Sequence, residues 1–136
     1  VTREPGLPPV IDASATIEAY VTIDAGVERP TRVGARSWVM KSVHVGHDVQ
    51  IGDDVEVAPL VSIGGYVELG DGVHVGQGAV FKPRVRVGVG AVIGAGAVVV
   101  EDVPAGETWA GNPARPLRQP PADAELWREW WEASRA

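Results

Sequence analysis

The sequence predicts an all-β fold: a parallel β-solenoid with a short C-terminal α-helix. Two observations carry the solenoid and one the helix. First, an apolar residue recurs at every sixth position from Val33 through Val39, Val45, Ile51, Val57, Ile63, Leu69, Val75, Phe81, Val87 and Ile93 to Val99, which makes twelve hexads without a slip. Second, the residues around each repeat position read apolar-x-apolar, as in Val43-His44-Val45, Val49-Gln50-Ile51 and Val55-Glu56-Val57. Alternation of this kind puts the outer two side chains on one face and the middle one on the other. Third, Asp123 stands at the start of a stretch in which Leu126, Trp127, Trp130 and Trp131 share one helical face.

A short strand and a turn at fixed period make a solenoid, whose backbone hydrogen bonds run between coils about 4.8 Å apart. A set of separate hairpins would need longer strands and more varied turn residues. The residue after each repeat position is Gly in eight of the twelve hexads, which suggests a turn conformation that a Cβ would hinder. The fifth position is always Val, Ala or Ser, so the interior is narrow and filled by small side chains.

Composition narrows the function. Net charge is −6, and no Lys/Arg run is long enough to make a nucleic-acid stripe. With no Cys, disulfides and thiolate metal sites are excluded. No apolar run approaches roughly 18 residues, so no membrane helix is expected. Val1–Pro9 has no apolar core of the kind that marks a signal peptide, and the expected compartment is the cytoplasm.

In chain order, residues 1–10 read as an extended lead-in. The solenoid spans 11–103. Its first three hexads start at Ile11, Ile17 and Ile23, and Arg29-Pro30-Thr31-Arg32 then interrupts the count as a loop at a corner. Residues 104–121 read as a closing loop and 122–136 as the C-terminal helix, with Asp123 as N-cap. Three Trp in five residues form a large apolar area, which should dock on the chain's own solenoid or on a neighbouring subunit.

The hexad pattern resembles the bacterial hexapeptide-repeat transferases, over about Ile11 to Val103. The resemblance implies a left-handed parallel β-helix of triangular section with three hexads per coil. Residues 18 apart then stack. His74 falls on a flat face beside Glu56 and reads as a surface residue. His44 also faces outward, beside Ser62. His47 falls at a corner, next to the carboxylate of Asp48 and one coil away from Gly65. A carboxylate can hold an imidazole in one tautomer for general-base work, and a Gly leaves a backbone N–H approachable by an oxyanion. By itself His44-x-x-His47 is a weak motif for a metal.

His44-Val45-Gly46-His47-Asp48 and Ile63-Gly64-Gly65-Tyr66-Val67 are similar to the catalytic region of UDP-N-acetylglucosamine O-acyltransferases, sialic-acid O-acetyltransferases and nucleotide-amino-sugar N-acetyltransferases. Gly111-Asn112-Pro113-Ala114-Arg115 is similar to the closing loop of acetyl-CoA-dependent members. The resemblance implies His47 as general base, Asp48 as its orienter and Gly65 N–H as donor to the thioester oxygen. It implies His44 as a substrate contact, with Tyr66 standing where the lipid A enzyme has a second substrate His. Acetyl-CoA or another acyl-CoA is then the co-substrate, with no metal expected. Its pantetheine arm runs past Pro83 toward Arg115, and Lys82, Arg84, Arg86, Arg115 and Arg118 are candidates for its phosphates. The acceptor is a sugar or nucleotide sugar, and the assembly a homotrimer.

Two other readings compete. A γ-type carbonic anhydrase would use the three His as zinc ligands, but the close pair precedes the single His here, the reverse of that family's order. The absence of a sugar-binding domain within these 136 residues speaks for a non-catalytic scaffold, and the His47-Asp48 and Gly65 pairing with the Gly111–Arg115 loop speaks against it.

Overall fold

The structure is a computed structural model in which residues 5–117 and 123–134 are described. Fifteen two-residue strands wind through five coils. The first coil holds β1 (Val10–Ile11), β2 (Thr16–Ile17) and β3 (Thr22–Ile23). The second holds β4 (Arg32–Val33), β5 (Trp38–Val39) and β6 (His44–Val45). The third holds β7 (Gln50–Ile51), β8 (Glu56–Val57) and β9 (Ser62–Ile63), and the fourth β10 (Glu68–Leu69), β11 (His74–Val75) and β12 (Val80–Phe81). The fifth holds β13 (Arg86–Val87), β14 (Val92–Ile93) and β15 (Val98–Val99), followed by β16 (Thr108–Gly111), β17 (Ala114–Pro116) and the helix α1 (Ala124–Ser134).

Each strand pairs in parallel with its counterpart one coil on, giving three sheets: β1-β4-β7-β10-β13, β2-β5-β8-β11-β14 and β3-β6-β9-β12-β15. Through the regular coils the register is 18 residues, with Val45 opposite Ile63 and Leu69 opposite Val87. From the first coil to the second it is 22, with Ile11 opposite Val33 and Ile23 opposite Val45, because the four extra residues lie between β3 and β4. At the other end Ile93 pairs with Trp109, and the segment read as a closing loop forms an antiparallel hairpin of β16 and β17 on the second sheet.

The second residue of each strand points inward. From β4 to β15 all of these are buried, and so are the fifth-position residues Val43, Val49, Val55, Val61, Val67 and Val73. Each fully buried Val stabilises the fold by about 1.5–3 kcal/mol. Trp109 and Ala114 of the hairpin extend this core at the top.

The glycine after each repeat residue works differently from the sequence-based expectation. The left-handed backbone falls two residues later, at hexad position four: Arg36, Ser42, Asp48, Asp54, Leu60, Tyr66 and Arg84 all have φ between 54° and 71°. The second-position glycine instead allows close approach between coils. A Cβ on Gly46 would sit 2.8 Å from the carbonyl oxygen of Ile63 and 2.9 Å from the nitrogen of Gly65, closer than packed atoms sit.

Helix α1 begins at its expected cap, where Asp123 Oδ1 accepts from the backbone N–H groups of Glu125 (2.9 Å) and Leu126 (3.0 Å). The side chains of Trp127, Trp130 and Trp131, and with them the docking expected of this helix, lie outside the described residues.

Candidate active site

The corners that follow the third sheet stack into a column: Gly46-His47-Asp48, Gly64-Gly65-Tyr66 and Lys82-Pro83-Arg84. Backbone bonds tie it together. Tyr66 N–H donates to the His47 carbonyl (3.0 Å) and Arg84 N–H to that of Gly65 (2.9 Å). The period thus brings His47, Gly65 and Pro83 one above another.

Asp48 sits at the left-handed corner position, a backbone conformation Asp tolerates better than most residues. Its side chain is completely buried. One carboxylate oxygen accepts the N–H of Val27 (2.6 Å), and the other accepts those of Glu28 (2.8 Å) and Arg29 (2.9 Å). Burial pushes the carboxyl up, but the N–H groups of Val27, Arg29 and Glu28, with His47, outweigh it and bring it down to about 2. Asp48 is therefore ionised at neutral pH. The loop is pinned further by Thr31, buried, whose Oγ1 accepts Asp48 N–H (3.0 Å), and by Arg29 Nε, which donates to the Asp48 carbonyl (3.1 Å).

Asp48 Oδ1 also lies 3.2 Å from His47 Nδ1. An ionised carboxylate there accepts the Nδ1 proton, which leaves Nε2 as the acceptor nitrogen. The imidazole is 42% exposed, so Nε2 can meet a ligand. Gly65 packs against it. An ideal Cβ on Gly65 would lie 2.6 Å from His47 Nε2, so the ring occupies the space that any other residue would need. Among the described residues, the N–H of Gly65 has no hydrogen-bond acceptor. An acceptor nitrogen and a residue whose N–H is unpaired among the described residues are thus in contact, and proton removal and oxyanion stabilisation require such a pair of groups.

Tyr66 closes one side, its ring edge-on to His47 with centroids 5.0 Å apart. Burial and the neighbouring Asp48 and Glu28 carboxylates push its phenol up, so it is neutral at physiological pH. The guanidinium of Arg84 lies 4.2 Å from the centre of the Tyr66 ring, a cation–π contact. Beside it opens a cleft of about 240 Å³ lined by Glu28, Arg29, Tyr66, Glu68, Arg84 and Arg86.

The other candidate residues divide between the column and its surroundings. Lys82 and Pro83 follow Gly65 up the column, and Arg115 joins it near the top, with Nη1 3.5 Å from Glu101 Oε1. Arg84 turns instead to Tyr66 and the cleft. His44 is on the outer face of β6, where Thr22 Oγ1 is 2.7 Å from Nδ1 and Asp24 Oδ2 is 3.5 Å from Nε2. His74 pairs with Glu56 (3.2 Å) on the second sheet. The three His therefore stand apart, and among the described residues no group of three His, Asp or Glu is arranged to hold a metal ion. Arg118 lies outside the described residues. The loop residues Val27, Glu28 and Arg29 were not visible as site residues in the sequence. Their signal was the break in period at Arg29–Arg32, which marks an insertion but not where it folds.

Residues 30–65 match the family described as bacterial transferase hexapeptide (six repeats). Over 110 residues the chain is 41% identical to a UDP-3-O-acylglucosamine N-acyltransferase of Caulobacter sp. (strain K31), covering 81% of this chain and 32% of the relative. It superposes with a TM-score of 0.71 on a histidine-to-asparagine mutant of perosamine N-acetyltransferase from Caulobacter crescentus, in complex with CoA and GDP-perosamine, at 25% identity over 84% of this chain and 58% of that one. The acetyltransferase domain of PglB from Neisseria gonorrhoeae FA1090, in complex with acetyl coenzyme A, superposes with a TM-score of 0.60 at 33% identity, over 82% of this chain and 58% of that one. The chain spans about a third of the length of that curated relative.

Proposed function

For a chain that belongs to the bacterial hexapeptide-repeat transferases, as this one does, we propose that the His47 corner transfers an acyl group from coenzyme A to an amine or hydroxyl of a sugar or nucleotide sugar. One observation carries the reading: His47 Nε2 packs against Gly65, with the ring held by a buried, ionised Asp48. Two of the named relatives have a nucleotide sugar in their name or complex, UDP-3-O-acylglucosamine and GDP-perosamine, and two are bound to CoA or acetyl-CoA.

Acyl-CoA would supply a thioester carbonyl activated toward attack. His47 Nε2 takes the proton of the acceptor amine or hydroxyl as that atom attacks the carbonyl carbon. Gly65 N–H faces the negative charge that develops on the carbonyl oxygen. The imidazolium, steadied by Asp48, then returns its proton to the departing sulfur. No side chain is acylated. The absence of a Cβ at Gly65 leaves room for the His47 ring at this place. Lys82, Pro83 and Arg115 along the corner column would hold the rest of the coenzyme, and His44 and Tyr66 would contact the acceptor.

The same reading takes the chain as a cytoplasmic homotrimer whose flat faces pack between copies. It is supported by the exposed Trp38, Val80 and Val92 on those faces, and sedimentation should give about three times 14.3 kDa. Among the described residues, no helix is long and apolar enough to cross a membrane. The direct test is calorimetric titration with CoA. Saturable binding is expected, and no heat at millimolar concentration would sink the transferase reading.

A further inference from the structure

The cleft beside Tyr66 has no role in proton transfer, yet it is built with care. Three guanidiniums, Arg29, Arg84 and Arg86, converge there in a chain whose net charge is −6. Glu68 divides its carboxylate between two of them, with Oε1 3.2 Å from Arg29 Nη1 and Oε2 3.3 Å from Arg86 Nε. Arg29 is fixed a second time by its Nε bond to the Asp48 carbonyl, and Arg84 is fixed by stacking on Tyr66. A guanidinium has five N–H donors, so after these contacts each Arg keeps donors to spare, already oriented. Fixed guanidiniums lose little freedom on meeting a ligand, and their planar forks match the geometry of phosphate and carboxylate. The second carboxylate of the cleft is Glu28.

We infer that this cleft is an oxyanion subsite for the acceptor. The acceptor carries a phosphate or carboxylate that seats among Arg29, Arg84 and Arg86, while its amine or hydroxyl reaches His47 across Tyr66. The inference rests on the acyl-transfer reading and narrows its acceptor from any sugar to an anionic one. The four-residue insertion is what brings Arg29 and Glu28 to the cleft, so the break in the repeat serves acceptor recognition as well as the hold on Asp48. The arrangement also separates the two substrates: Lys82, Pro83 and Arg115 follow the corner column, whereas Arg84 and Arg86 face the cleft.

The test is calorimetry on the whole chain at low salt, with inorganic pyrophosphate and malonate as probes, each with and without saturating CoA. At least one probe should bind once per chain and still bind with CoA present, and which of them does so distinguishes a phosphate from a carboxylate acceptor. Arg84→Gln and Arg86→Gln should each weaken that binding about tenfold or more, Glu28→Gln should strengthen it, and His47→Ala should leave it unchanged. The inference is overturned if neither probe binds up to about 10 mM, if CoA displaces the probe, or if Arg84→Gln has no effect. The variants alter exposed side chains, and their melting temperatures check that the fold is intact. Should a probe bind as expected while CoA does not, the oxyanion site stands and the transferase reading falls.

Discussion

The carboxylate of Asp48 holds His47 Nδ1 at 3.2 Å while it also accepts three backbone N–H groups from the loop before β4. One buried group therefore sets the tautomer of His47 and anchors the insertion beside it. The two tasks can be separated by substitution.

His47→Ala removes only the proposed base. Its side chain is partly exposed and fills no core position. Acyl transfer should fall roughly 10²–10⁴-fold, with melting temperature and oligomer size unchanged. Steady-state kinetics beside a thermal melt will tell, and retained activity would place the base elsewhere.

Asp48→Asn should damage both functions. An amide keeps an acceptor oxygen but turns an NH₂ toward backbone donors, so at least one buried donor loses its partner. Stability should drop by about 1–3 kcal/mol, and activity should fall with it because the His47 tautomer is no longer held. A variant as stable as the parent in urea would show that the loop is anchored by other contacts.

Gly65→Ala probes the fit between coils. The added Cβ would meet His47 Nε2 at 2.6 Å, and the ring, being a surface side chain, can swing away. The expected result is a folded protein with activity reduced about tenfold or more. Gly46→Ala should instead destabilise by about 1–3 kcal/mol, since its Cβ meets backbone that cannot move.

Acid should release the loop late. Asp48 titrates at about 2 in the folded chain against an ordinary 3.8. A lowered folded value means that its stabilisation is complete above about pH 4 and is lost as pH falls through about 2. Hydrogen exchange at the amides of Val27, Glu28 and Arg29 should therefore stay protected down to about pH 4 and lose that protection progressively as pH falls toward about 2. Protection that fails above about pH 5 would point to a different anchor.

His74→Ala should change little. Its contact with Glu56 is between two exposed side chains on a flat face, and such pairs contribute about 0–1 kcal/mol. A large loss of activity in this variant would mean that the face belongs to the site.

The inward and outward faces of the regular part could be read from the period alone. A strict spacing of six decides which side chains point inward, and Val43 and Val45 are buried while His44 between them is exposed. Stacking needed the family resemblance as well, which implies three hexads per coil, and so Glu56 meets His74 and Gly65 meets His47. The role of glycine was harder to see. Both a left-handed turn and a close approach favour Gly, and only backbone angles separate the two.

What the period could not encode is the path of residues that do not obey it. The insertion shifts the first coil to a 22-residue register, which sets Thr22 beside His44. It then folds back so that three amides point at one carboxylate and Arg29 reaches Glu68. These contacts depend on the three-dimensional course of an irregular loop, where no repeat constrains the partner of each N–H. The repeat, with the family resemblance, was therefore enough to place His47 beside Gly65. Tertiary structure decided that Asp48 is buried and ionised, and that a cleft of guanidiniums opens beside His47.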